Sequence, residues 1–270
     1  MTERLAPLLT AFDRVAAGDR SIHLEEAGSQ DLCSLARGFN EMVDKLYIAE
    51  RIERAFGQYV SSQVLERILA QHGAVLLTAE LRTASVFFAD IRGFTHISER
   101  LPPPVVVDLL NRYLEQIVPV VDRYHGFLNK FVGDAVVVVF NGPVDQPDHP
   151  ERATCCAIAL QKLLVQLNAN GLFAEVGRLE VGVGVATGPM LCGNIGARSR
   201  MEYTVIGDTV NIASRMTGHA RGGEVWVTEP TARQLPSTIA AVPYEAFKFR
   251  GKELAVVPYC VWPPPQPGPL

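Results

Sequence analysis

At 270 residues, with 48% hydrophobic and 20% charged side chains, the chain is long enough for one or two packed domains and too apolar to be disordered throughout. A formal net charge of -4 removes the basic field that nucleic acid or an anionic membrane surface would require of a partner. No apolar run reaches membrane-spanning length and MTERLAPLLTAFDR lacks a secretory h-region, so a cytoplasmic protein, or the cytoplasmic part of a membrane-anchored one, is expected.

The first expected element is a helix on which Leu5, Leu8, Phe12 and Val15 recur at three- and four-residue steps, until Gly18-Asp19-Arg20 breaks the pattern. Leu32, Leu35, Phe39, Met42 and Leu46 repeat the spacing in a second helix. Each helix has too few heptads to stand alone, so the apolar seams are expected to pack against a second copy. Residues 48–78 follow as a connector, helical to about residue 69, in which Glu50-Arg51 and Glu53-Arg54 read as a solvated face.

Residues 79–262 alternate between strands and helices. Ser85-Val86-Phe87-Phe88-Ala89 is a buried strand closed by Asp90 and followed by Ile91-Arg92-Gly93-Phe94-Thr95. A helix over 105–125 carries Leu109, Tyr113, Ile117 and Val121 on one face, and Pro119 is expected to bend or shorten it. The hairpin 127–140 turns at Gly133-Asp134, and a helix over 151–167 comes next. Strands are then expected at 179–186, 190–194 and 202–206, with a helix over 208–219 that Asp208 would N-cap. A strand at 224–227, a short helix at 231–235 and a strand pair, 244–250 with 256–262, complete the domain. The tail 263–270 contains PPQPGPL and is expected to be disordered. Strand, helix, hairpin, helix, strand is the order of an α+β, ferredoxin-like βαββαβ unit. Five cysteines without metal-ligand spacing read as reduced thiols.

Two carboxylates, Asp90 and Asp134, sit where apolar strands end. An ionised carboxylate beside so much apolar surface is costly unless it is paired or holds a metal, so the placement suggests a divalent-cation site. Gly93, Phe94 and Thr95, directly after a strand, can present backbone N–H groups to phosphate oxygens. Asn211 and Arg215 share one face of their helix at i and i+4.

The segments FADIRGFT, NKFVGDAVVVVF and YTVIGDTVNIASRM resemble the catalytic domain of class III nucleotidyl cyclases over about residues 56–262, and residues 5–47 resemble a HAMP signalling module more loosely. The resemblance implies the ferredoxin-like core with extra strands, preceded by a dimeric helical module, in four parts: 1–47, a connector at 48–78, a catalytic domain at 79–262 and the tail. It implies an adenylyl cyclase acting on ATP as a homodimer with shared sites and two Mg²⁺ or Mn²⁺ ions per site. Asp90, Asp134 and the Ile91 carbonyl would hold those ions, and Asn211 and Arg215 would be the transition-state pair. Lys130 would read adenine, because an ammonium donates to adenine N1 and is repelled by the N1–H of guanine. Thr204 stands where many adenylyl cyclases carry aspartate, as in the subgroup that includes bicarbonate-responsive cyclases, so bicarbonate becomes a candidate activator. A threonine hydroxyl both donates and accepts, which loosens the base argument. Either Arg250 or Lys252 would meet the terminal phosphates. The HAMP likeness implies an upstream sensor or membrane domain, or a module working in a soluble protein. The competing readings are a guanylyl cyclase and a catalytically silent nucleotide-binding domain.

Overall fold

The structure is a computed structural model that describes residues 6–57, 79–197, 200–246 and 255–263. Leu5, the connector beyond residue 57, Arg250, Lys252 and the tail beyond residue 263 therefore lie outside the described residues. The chain divides into two compact units, Met1–Ser62 and Gln63–Leu270.

In the first unit, α1 (Ala6–Ala16) and α2 (Gln30–Gly57) bury Ala11, Val15, Phe39 and Val43 against each other, with Leu8 and Met42 at the margin. Phe12 meets Phe39 edge to face at 5.0 Å. Asn40 clamps the extended connector between the helices: its Nδ2 donates to Leu24 O at 2.9 Å and its Oδ1 accepts from Leu24 N at 2.8 Å. Only part of the seam read from the sequence is used in this way. Leu35 remains 50% exposed and Phe12 45%.

The second unit is built on an eight-stranded sheet. In chain order its elements are β1 (Ala79–Ile91), α3 (Phe94–Arg100), α4 (Pro103–Arg123), β2 (Phe127–Val132), β3 (Ala135–Phe140), α5 (His149–Ala169), β4 (Val181–Ala197), β5 (Arg200–Ile206), α6 (Asp208–His219), β6 (Val225–Thr228), α7 (Glu229–Ala232), β7 (Val242–Pro243) and β8 (Pro258–Trp262). The strand order is β2-β3-β1-β4-β6-β8-β7, with β5 paired to β4, and the first four strands in that order are antiparallel neighbours. This is the ferredoxin-like core with added strands.

Helices α4 and α5 cover one face, where Phe87, Leu109, Tyr113, Ile117, Val138, Phe140 and Leu160 form the main core. Helix α6 lies so close to β4 that a Cβ on Gly184 would sit 2.6 Å from Ala213 O. A hydroxyl chain crosses the sheet, with Ser85 Oγ 2.8 Å from His149 Nδ1 and 2.6 Å from Thr187 Oγ1, and Thr231 Oγ1 donating to Thr187. Burial pushes the His149 imidazole below its usual range, so it serves this network as a neutral structural group.

Several expected boundaries are corrected. Helix α4 runs through Pro119 to Arg123, because Ile117, Val120 and Val121 are buried on either side of the proline. Each such burial contributes about 1.5–3 kcal/mol, enough to offset the roughly 3 kcal/mol that an internal proline costs. The expected strands 179–186 and 190–194 are one strand, β4. Pro189 falls between the segment paired to β6, ending at Val185, and the segment paired to β5, beginning at Leu191, so on that side of β4 no ladder bond is lost. Gly207 occupies the N-cap of α6 and Asp208 is its first residue, with no side-chain cap bond. An acidic group there still suits the helix dipole. Strand β7 ends before Tyr244, although Tyr244 N donates to Pro258 O at 2.8 Å.

Candidate active site

The antiparallel register of β1 and β3, with Ala89 opposite Val136, brings the end of one strand beside the turn that opens the other. Gly133, at φ 63°, makes that turn possible, and Asp134 Oδ2 accepts from Ile91 N at 3.0 Å. Asp134 is pushed up to about 6, first by desolvation and then by the neighbouring Asp90 carboxyl. The two carboxylates that the strand ends pointed to thus meet at one point, beside the Ile91 N–H.

A residue the sequence reading passed over also acts here. Arg92 Nη2 lies 2.6 Å from Asp90 Oδ2, and its guanidinium reaches, at 3.4 Å, the carbonyls of Gly218 in the last turn of α6 and of Ala220 just after it. Gly182 leaves the room, since a Cβ there would sit 3.1 Å from Arg92 Cζ. The only sequence signal was its place inside FADIRGFT. Tyr113 reads as a core position in the sequence, and its ring is fully buried, but its hydroxyl has no hydrogen-bond partner among the described residues. Burial raises its pKa, with smaller contributions from Asp134 and Asp90. An unpaired buried hydroxyl costs about 1–3 kcal/mol, so Tyr113→Phe should stabilise the fold by about 1 kcal/mol. Thermal unfolding checks this, and a lowered melting temperature would show that the hydroxyl is paired in solution.

Gly93 takes the left-handed conformation at φ 68° and opens α3, with Ile97 N donating back to Gly93 O at 3.1 Å. Thr95 is exposed and Phe94 packs partly against the core.

A second group forms where β2 meets β5. Lys130 Nζ pairs with Glu202 Oε1 at 2.5 Å, and Thr204 is buried two residues further along β5. Asn129 Nδ2 donates to Tyr203 O at 2.7 Å. Asn211 and Arg215 stand exposed on α6, one turn apart. Among the described residues, no hydrogen bond or ion pair joins the Asp90/Asp134 group to the Lys130/Thr204 group.

Residues 77–261 match the family described as the adenylate and guanylate cyclase catalytic domain, and residues 1–47 match the HAMP domain. The chain belongs to the class III nucleotidyl cyclases. Two uncharacterised proteins of Mycobacterium tuberculosis are 39% and 38% identical to this cyclase over 206 residues, or 76% of its length. The chain spans only 37% and 36% of those two relatives. Among solved structures, the adenylyl cyclase CyaB from P. aeruginosa is 34% identical with a TM-score of 0.65, covering 68% of this chain and 96% of that one. The guanylyl cyclase Cya2 is 30% identical, also with a TM-score of 0.65, covering 68% and 94%. A bacterial light-regulated adenylyl cyclase shares the fold at 23% identity and a TM-score of 0.71, over 82% of this chain and 62% of that one.

Class III cyclases use divalent metals, generally Mg²⁺ or Mn²⁺, and the site has suitable donors. Among the described residues no third His, Cys, Asp or Glu joins Asp90 and Asp134. Two carboxylates are hard oxygen donors, too few for an all-protein cage. They suit ions that also bind substrate phosphates. The raised Asp134 carboxyl fits as well, because a cation would offset the desolvation, and the nearness of Asp90, that raise it.

Proposed function

We propose that this class III cyclase is an adenylyl cyclase, converting ATP to cyclic AMP and pyrophosphate. The observation that carries the reading is the placement of Lys130 and Thr204 together at the β2–β5 junction. The Lys130 ammonium donates to adenine N1, and Thr204 accepts from the N6 amino group. Asp90, Asp134 and the Ile91 carbonyl would hold two Mg²⁺ or Mn²⁺ ions. When bound, these supply activation of the ribose 3′-hydroxyl and neutralisation of the triphosphate. Gly93, Phe94 and Thr95 turn backbone N–H groups toward phosphate oxygens, and Arg250 or Lys252 meets the terminal phosphates. Asn211 orients the ribose, while Arg215 meets charge that grows on the α-phosphate and the leaving group. Because the attacking hydroxyl and the phosphorus belong to one molecule, these residues act chiefly by folding the substrate into an in-line geometry.

The active unit in this reading is a homodimer with shared sites: one protomer supplies Asp90 and Asp134, and its partner supplies Lys130, Thr204, Asn211 and Arg215. The seam positions Phe12 and Leu35, left exposed for a second copy, support a dimer. The helical unit would pass a signal from an upstream sensor or membrane domain by turning one catalytic domain against the other. Bicarbonate stays a candidate activator on the likeness at Thr204 alone. The likeness to Cya2 keeps guanylyl cyclase as the second reading. Turnover of ATP against GTP by the purified protein decides between them, with cyclic AMP expected as the main product.

A further inference from the structure

Threonine is an ambiguous reader of a purine, because its hydroxyl can accept from the adenine N6 amino group or donate to guanine O6. The surroundings of Thr204 remove the ambiguity. In the β2–β3 ladder Leu128 is opposite Val138 and Lys130 is opposite Val137, so Asn129 is the extra residue of a bulge. Neighbouring side chains in a regular strand point to opposite faces, and a bulge breaks that alternation. Asn129 and Lys130 accordingly both reach β5, the first at Tyr203 and Thr204, the second at Glu202.

The amide of Asn129 has only one orientation that satisfies these partners. The Tyr203 carbonyl can only accept, so it takes the amide NH₂ at 2.7 Å. Oδ1 is left facing Thr204 and can only accept, so the Thr204 hydroxyl donates its single proton to it, at 3.4 Å. Lone pairs alone then remain to meet the base.

We propose that Asn129 is a positioning residue for base selection, fixing the Thr204 hydroxyl as an acceptor so that it takes adenine N6–H and refuses guanine O6. This assignment rests on the adenylyl cyclase reading. The contact is long for an O–H···O bond, so its share of the discrimination is about tenfold, one neutral hydrogen bond's worth.

The test is kcat/KM for ATP and for GTP in wild type, Asn129→Ala, Thr204→Val and the double variant, with melting temperatures as a check on folding. Asn129→Ala should lower the ATP-to-GTP preference about tenfold, chiefly by improved use of GTP. In the Thr204→Val background, where no hydroxyl remains to orient, the same substitution should leave the preference unchanged. Asn129→Leu, of similar volume, repeats the measurement if the alanine variant loses its unfolding transition. Loss of a mere pin between β2 and β5 would slow both nucleotides alike and leave the ratio where it was. A wild type that prefers ATP, with an unaltered ratio in both Asn129 variants, overturns the assignment and spares the adenylyl reading. Equal use of ATP and GTP by wild type overturns both.

Discussion

Asp134→Ala should abolish cyclic nucleotide formation, by on the order of a thousandfold or more in kcat, the equivalent of about 4 kcal/mol of transition-state stabilisation. Asp134 is one of only two carboxylates in the cluster, so no third acidic side chain among the described residues stands ready to replace it. The same variant should not lose stability in the absence of cations. The Asp134 carboxyl is raised from 3.8 to about 6, so the folded state holds its proton more tightly than the unfolded state does. Stability from this group is therefore present at acidic pH and falls as pH climbs through that window. At pH 7 the ionised, half-buried carboxylate is a burden that alanine removes. Unfolding of metal-free protein at pH 7 should show Asp134→Ala at least as stable as wild type, while at pH 4 any advantage disappears. Retained turnover would take Asp134 out of the metal pair, and turnover lost together with the fold would leave its chemical role unsupported.

Asp90→Ala and Arg215→Ala should each be nearly inactive alone and recover activity when mixed. Removing a cation that meets transition-state charge costs about a hundred- to a thousandfold, and removing a metal ligand costs at least as much. If each site takes its aspartates from one protomer and its arginine from the other, a mixed dimer keeps one intact site and one doubly defective site. With random reassociation half the dimers are mixed and half their sites are intact, so about a quarter of wild-type activity should return. Demonstrably mixed dimers without recovery would place Asp90 and Arg215 of the same chain in one site.

The core order was legible because period and punctuation agreed: apolar runs at 85–89 and 135–140, an amphipathic helix between them, and Gly133-Asp134 between two strands. Errors arose where one residue's local preference opposed its tertiary setting. Pro119 was expected to bend or shorten its helix, and strands were expected to stop at 186 and restart at 190, yet Pro119 and Pro189 both lie inside continuous elements, where burial or an unpaired strand side offsets their usual cost. The nearness of Asp90 and Asp134 was foreseeable from strand ends alone, whereas Ile91 entered through the family resemblance. The parts of the site that sequence patterns did not reveal depend on register. Nothing in Leu128-Asn129-Lys130 announces a bulge, so that Asn129 would face the same strand as Lys130 could not be read from alternation. The Arg92–Asp90 pair was hidden for a different reason: its room comes from Gly182, some ninety residues later in the chain.

In the proposed reading this cyclase makes cyclic AMP from ATP at a site that reads adenine through Lys130 and Thr204. The most direct test is product formation by the purified chain from ATP and from GTP, supplied separately, with Mn²⁺ and then with Mg²⁺. Cyclic AMP is expected from ATP with either ion, little cyclic GMP from GTP, and neither product without a divalent cation. Cyclic GMP as the main product, or no cyclic product from a folded protein that binds ATP, would contradict that reading.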